Sequence, residues 1–225
     1  MADDSGDTGE GEIKEKLIRS KEKWAEEGRL LTGEEAEPER DRLPPGQRET
    51  KDWPVLDLGI QPDISRAEWK LTVDGLVKNS LEWDWGNFMA QPTFTDVSDI
   101  HCVTAWSRYD NKWEGVSTRH LLDIVQPEEK ACHVVLHSYD GYTTNVTLEH
   151  FAAADALLAH SWEGEPLTRQ HGAPVRVIIP RYYLWKSAKW VNRIEFCGED
   201  HPGFWEVRGY HNQGDPWKEE RYGRR

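Results

Sequence analysis

The chain has 225 residues, enough for one domain of ordinary size with a tail and too few for two full catalytic domains. Lys and Arg number 28 against 41 for Asp and Glu, and the net charge of −13 argues against a protein that coats nucleic acid or an anionic membrane through its overall field. No run approaches the roughly 18–20 apolar residues needed to cross a bilayer, and the acidic start "MADDSGDTGEGE" lacks a basic-then-apolar leader pattern, so a cytoplasmic protein without a membrane span is expected.

Residues 1–43 are rich in charge, poor in large apolar side chains, and closed by "GEEAEPERDRLPPGQ", which reads as a solvated tail. Ile13, Leu17 and Trp24 fall at helical spacing within it and allow one short helix. The body, residues 44–225, has a different texture. Trp69, Leu71 and Val73 alternate with Lys70 and Thr72 before the Asp74-Gly75 turn, the period of a half-buried strand. "CHVVLHSYDGY" repeats that strand-then-turn pattern, "PVRVIIP" is a short strand between prolines, and Trp190, Asn192, Ile194 and Phe196 alternate with Val191, Arg193 and Glu195 in another. Helices are expected near Ser117–Val125 and from Thr147 to His160, where Thr147 can cap and Glu149 sits in the first turn. Several strands with few helices in irregular order predict an α+β, β-rich domain.

Neither G-x-G-x-x-G nor the P-loop pattern is present, and Cys102, Cys132 and Cys197 form no C-x-x-C pair, which excludes a cysteine-bound structural zinc or cluster. Between Glu165 and Glu195 six bases stand without an acid: Arg169, Arg176, Arg181, Lys186, Lys189 and Arg193. Tyr182, Tyr183, Trp185 and Trp190 are interleaved with them, offering flat surfaces for a ring beside donors for a phosphate. The alternative is a strand and loop whose bases pair with the acid surplus elsewhere; one short island in an acidic chain does not make an RNA-binding surface. Cys102, after Val97 and Ile100 and before Trp106 and Trp113, is placed at a strand end among aromatics, as a core thiol or as a ligand whose remaining soft donors come from a cofactor. Cys132 and Cys197, within apolar strand patterns, are expected to be core thiols.

These residues carry a resemblance. "CVTAWS…WEGV…LL" followed by "EGEPLTRQHGAPVRVIIPRYYLWKSAKWVNRI" resembles the molybdopterin-binding domain of the sulfite oxidase family, and "GFWEVRGYHNQGDPWKEERY" resembles the ending of its bacterial-type members. The resemblance implies a single sulfite-oxidase-type domain of mixed sheets and short helices, binding molybdopterin without a nucleotide. It implies Cys102 as the metal ligand, His171, Arg176 and Lys189 as cofactor anchors, and Arg181, Tyr182, Lys186 and Ser187 in the loop that wraps the cofactor. Tyr142 takes the place of an active-site tyrosine. The activity implied is transfer of an oxygen atom to or from a small sulfur- or nitrogen-centred substrate, with electrons exchanged through a separate haem or flavin protein.

The chain departs from the family in two places. "TKDWPV" replaces an early segment that contacts cofactor and substrate, and Ser107, with Arg108 beside it, replaces an arginine that holds an oxyanion. Trp106, Trp113 and Tyr142 then offer a more apolar mouth, which favours a neutral sulfoxide or N-oxide. Two other readings stay open: Cys102 as a nucleophile activated by His101, His171 or His211, and a non-catalytic β-rich interaction module on the same fold.

Overall fold

A computed structural model describes residues 41–59 and 61–223 of the chain; the helix considered around Ile13, Leu17 and Trp24 lies outside them. From Arg42 onward the chain forms one compact unit built on two mixed sheets. The larger sheet joins β1 (Arg48–Glu49), β5 (Trp106–Ser117), β8 (Leu157–Trp162) and β10 (Arg176–Ile178) in that order, with β4 (Phe94–Cys102) added on β5 and β9 (Glu165–Pro166) on β8. The smaller sheet has the order β3, β2, β11, β6, β7, formed by Leu81–Asp84, Lys70–Gly75, Val191–Cys197, His133–Ser138 and Thr143–Thr147.

Alternation explains the smaller sheet. Leu71 and Val73 of β2 and Ile194 and Phe196 of β11 are buried, while their neighbours Thr72, Asp74, Arg193 and Glu195 are only half-buried. The two strands run parallel, with Ile194 opposite Val73. Gly75 ends β2 at φ +88°, and a Cβ there would stand 2.3 Å from the Phe196 carbonyl oxygen, so the turn needs glycine for its backbone and for its space.

Helices are few and short. Ser117 caps α2 (Thr118–Val125) by accepting from the Arg119 amide, and Leu121 and Val125 face the core. Asp84 likewise caps α1 (Trp85–Met89), an element the sequence reading left out. The helix expected from Thr147 to His160 is corrected to α3 (Leu148–Phe151): Thr147 caps it and Glu149 lies in its first turn, but Leu157–Trp162 is strand β8. Pairing on both edges, with β5 and β10, outweighs the helical preference of the alanine-rich stretch.

Two apolar clusters form the interior. The larger includes Trp69, Phe88, Leu136, Phe151 and Ile194; the smaller holds Ile100, Cys102, Trp106, Trp113 and Ile178. Of the expected core thiols, neither Cys132 nor Cys197 is in the core: Cys132 is exposed just before β6, and Cys197 is half-buried opposite His133, one position out of phase with the inward Phe196. No helix among the described residues is long and apolar enough to cross a membrane.

Candidate active site

A cavity of about 310 Å³ opens where turns of both sheets meet. Its walls come from 53–58, the β4–β5 turn, the β6–β7 turn, the 170–190 stretch, and Trp205 and Tyr210. Six of the nine residues that the resemblance assigned to the site line it, Cys102, Tyr142, His171, Arg176, Ser187 and Lys189, together with Trp106, Trp185 and Trp190, whereas Trp113, expected at its mouth, is fully buried and not in the lining.

Cys102 ends β4, paired with Trp106 across a tight turn in which Ala105 adopts φ +67°. Its side chain is 5 % exposed, and its sulfur lies 3.1 Å from Thr104 Oγ1. Burial pushes the thiol above its ordinary range. The histidines considered as its activators are engaged elsewhere. His101 Nδ1 shares a hydrogen with Ser107 Oγ at 2.8 Å, and burial lowers that ring to about 4. His211 Nδ1 is 3.2 Å from Glu220, and the two ring nitrogens of His171 meet Trp53 O at 3.1 Å and Thr168 Oγ1 at 2.9 Å. None of these histidines is bonded to the Cys102 sulfur, so the nucleophile reading lacks its activating base.

The opposite chemistry gathers around Arg176. This guanidinium is 3 % exposed; Nη1 donates to His171 O at 2.9 Å and Nη2 to Ser187 O at 3.0 Å, while Nε is buried without a partner among the described residues. Burial lowers it to about 9, so it stays charged at neutral pH. Lys189 Nζ donates to Gln170 O at 3.0 Å, sits over the Trp190 ring, and is 4.0 Å from Asp57. Burial and then the Arg176 charge push it down to about 8. The backbone makes this approach possible: Gly172 at φ +107° lies so close that a Cβ would stand 3.0 Å from Arg176 Cβ and 3.1 Å from Lys189 Cβ. Two cations converge here beside Asp57, which bonds from Gln61 and the Gly59 amide hold below the usual carboxylate range.

Tyr142 donates its hydroxyl to Trp185 O at 2.5 Å, and burial raises it well above the ordinary phenol range. Arg181, Tyr182 and Lys186 do not line the cavity. Tyr182 bonds His150 on the far side of the loop, and the Lys186 ammonium turns inward to Glu206 at 2.6 Å. In the 3₁₀ turn Leu184–Lys186, Leu184 and Trp185 line the cavity while Lys186 turns away from it, so adjacency in the motif does not guarantee a place in the cavity.

The sequence reading missed several wall residues. Trp53, in the divergent "TKDWPV", stacks on His171 with ring centroids 3.9 Å apart, and packs against Trp162 at 4.8 Å and Trp113 at 5.3 Å. Asp140, at the β6–β7 turn, is raised by burial and accepts from the Tyr142 amide at 3.0 Å. Tyr210 is a second cavity tyrosine, raised above the ordinary phenol range by burial and, to a smaller degree, by Tyr222 and Cys102. Its signal was the aromatic-rich ending "GFWEVRGY".

The model of the oxidoreductase molybdopterin binding domain matches residues 58–205. The oxidoreductase YuiH of Bacillus subtilis is 44 % identical over 182 residues, covering 80 % of this chain and 92 % of that protein. The protein-methionine-sulfoxide reductase catalytic subunit MsrP of Ralstonia nicotianae is 28 % identical over 162 residues, covering 65 % of this chain and 49 % of that protein; against such relatives the chain spans about half of their length. The sulfane dehydrogenase SoxCD from Paracoccus pantotrophus shares the fold, with a TM-score of 0.57 and 18 % identity over 62 % of this chain and 40 % of the other.

Proposed function

Because the chain belongs to the oxidoreductase molybdopterin-binding domain family, whose cofactor is molybdopterin, we propose that its cavity carries out oxygen-atom transfer on a small neutral sulfur- or nitrogen-centred substrate. The residues fit the cofactor. Arg176 and Lys189 meet the charge of a phosphate, and the Nε of Arg176 is a buried donor that lacks an acceptor among the described residues. His171 and Ser187 border the same region, and Cys102 offers one thiolate to a metal whose other soft donors are sulfurs of the pterin. Bound there, the cofactor supplies the two-electron centre that gives or takes the oxygen atom.

The chain's own residues select and hold the substrate. One observation carries the preference for a neutral molecule: Val103, Thr104 and Trp106, which line the cavity along the turn that Cys102 opens, carry no charge, and Leu184, Trp185, Trp205 and Tyr210 add further uncharged lining. Arg108 does not restore the missing cation. Its guanidinium bonds Asn111 and Lys51 O, lies 3.3 Å from Glu163, and covers the Trp162 ring. Arg221, whose charge reaches Cys102, donates to Val103 O and lies outside the lining. With Arg176 and Lys189 given to the cofactor, an oxyanion would have only the outlying Arg221 as counter-charge at this end, whereas a sulfoxide or N-oxide needs an apolar wall, which the tryptophans provide.

Electrons are exchanged with a separate haem or flavin protein in this reading. The relative MsrP, described as a catalytic subunit, supports such a division. The test is an assay of protein made in a host that produces the cofactor. Methionine sulfoxide and trimethylamine N-oxide with reduced viologen are expected to turn over faster than sulfite with ferricyanide. Efficient sulfite oxidation with a micromolar KM rejects the proposal.

A further inference from the structure

Lys186 is fully buried, at 0 % exposure, yet faces away from the cavity. Its ammonium lies 2.6 Å from Glu206 Oε1 and donates to Asn145 O at 2.8 Å and Asn145 Oδ1 at 3.0 Å, which occupies all three of its hydrogens. No donor is left for a ligand. Glu206 Oε1 also accepts from Thr144 Oγ1 and from Trp185 Nε1, each at 3.0 Å. One carboxylate oxygen thus joins β7, the loop that lines the cavity, and the C-terminal stretch.

Chain position gives this junction its meaning. Lys186 stands between Trp185 and Ser187, which both line the cavity. Glu206 follows Trp205 and opens the 3₁₀ turn Glu206–Arg208 that leads to Tyr210, and both of these aromatics also line it. Trp185, Trp205 and Tyr210 pack into one group, with Tyr210 ring centroids 5.1 Å from Trp185 and 4.8 Å from Trp205. Gly203 completes the fastening: a Cβ there would stand 2.4 Å from Thr143 O, and the next amide, Phe204, donates to that oxygen at 2.8 Å. A burial-paired Lys and Glu costs desolvation on both sides, so its worth lies in fixing one geometry more than in net stability.

We propose that Lys186 and Glu206 are a positioning pair that fixes Trp205 and Tyr210 over the cavity, setting how tightly substrate is held, and that neither anchors the cofactor. The inference rests on the cavity being the active site, and its structural half is independent of which substrate is used.

The test compares holoenzyme of the parent with Glu206→Gln, which keeps the accepting oxygen, and with the double variant Lys186→Met/Glu206→Leu, which leaves no lone buried charge. Three quantities are read: molybdenum and pterin content, hydrogen exchange over residues 203–212, and KM against kcat for methionine sulfoxide with reduced viologen. Glu206→Gln keeps an accepting oxygen but leaves the Lys186 ammonium without its counter-charge, so it is expected to keep its cofactor within about twofold and to fall between the parent and the double variant in exchange and KM. The double variant is expected to keep its cofactor within about twofold, to exchange about tenfold faster over 203–212, and to raise KM about tenfold with a smaller change in kcat. Should it fail to fold, Thr144→Val removes one donor to Glu206 and is expected to speed exchange there by about threefold. Loss of cofactor in step with activity, with exchange unchanged, makes Lys186 an anchor and overturns the proposal; so does a double variant with parental exchange and KM. If the parent ignores methionine sulfoxide, the substrate reading fails, while exchange and cofactor content still decide the role of the pair.

Discussion

The indole of Trp53 lies flat on the imidazole of His171, with centroids 3.9 Å apart and planes inclined by 15°. Trp53 also sits 5.3 Å from the Arg176 guanidinium, so one ring braces two proposed cofactor anchors from the side of the first turn. Trp53→Ala is expected to cost about 2–3 kcal/mol of stability, from lost packing against Trp113, Trp162 and His171, and to lower cofactor content. Trp53→Phe should recover most of the stability. Denaturant melts and molybdenum analysis of the two variants check this.

Lys189 makes capture of an anionic ligand depend on pH. Its ordinary value of 10.5 is lowered to about 8 in the folded, ligand-free chain, so between those values the folded state binds fewer protons than the unfolded. Ligand-free stability therefore rises as pH climbs through this window, while attraction for an anion falls as the ammonium is lost. Cofactor loading is expected to weaken by about tenfold between about pH 7 and about pH 9, and Lys189→Arg should reduce that dependence to the roughly twofold that Arg176 contributes near pH 9. Loading assays at the two pH values provide the comparison.

The two cavity tyrosines should separate by phenotype. Tyr142→Phe removes the donor to Trp185 O and is expected to lower stability by about 1 kcal/mol, with a modest effect on turnover. Tyr210→Phe removes a hydroxyl bonded to Tyr222 from the cavity wall, and is expected to lower stability by about 1 kcal/mol as well but to reduce kcat/KM on a sulfoxide by about tenfold, more than Tyr142→Phe does. Steady-state kinetics and thermal melts on both variants decide between the two roles.

Cys102→Ser should fold, retain some pterin through Arg176 and Lys189, and lose turnover, because a hydroxyl replaces the soft ligand. Cys132→Ser and Cys197→Ser are expected to stay within about 0.5 kcal/mol of the parent and to keep activity, since neither side chain is in the core. Activity, metal content and the metal's absorption spectrum of the three variants are the check.

The sequence was most informative where local chemistry and tertiary demand agree. Ser117 caps where the apolar period begins, and Leu121 and Val125 fall on one face, so α2 could be placed without a structure. The "HGAPVR" and "SAKW" segments bring His171, Arg176, Ser187 and Lys189 to one wall because Gly172 lets the two stretches touch. Strand β8 was hidden because "ALLAH" has helical preference and becomes a strand only through its neighbours β5 and β10. Trp53 was hidden for a related reason: its contact with His171 spans 118 positions, and nothing around it in "TKDWPV" announces a site. Lys186 was drawn in by the company it keeps in the motif, whereas burial assigns its charge to Glu206.

The cavity's two ends have different ownership. Arg176, Ser187 and Lys189 belong to one continuous stretch folded back on itself, but the lip is contributed by residues 53–58 and by Trp205 and Tyr210, which reach it from opposite directions of the chain. Within that border Trp53 and Asp57 touch the holding stretch, whereas Val55, Leu56, Trp205 and Tyr210 can be replaced without removing a contact to Arg176 or Lys189. Such a molecule can be retooled for a new oxygen donor or acceptor by altering two short borders, much as a lathe accepts a new bit without changing its chuck, and libraries confined to Val55, Leu56, Trp205 and Tyr210 are the place to look for altered selectivity.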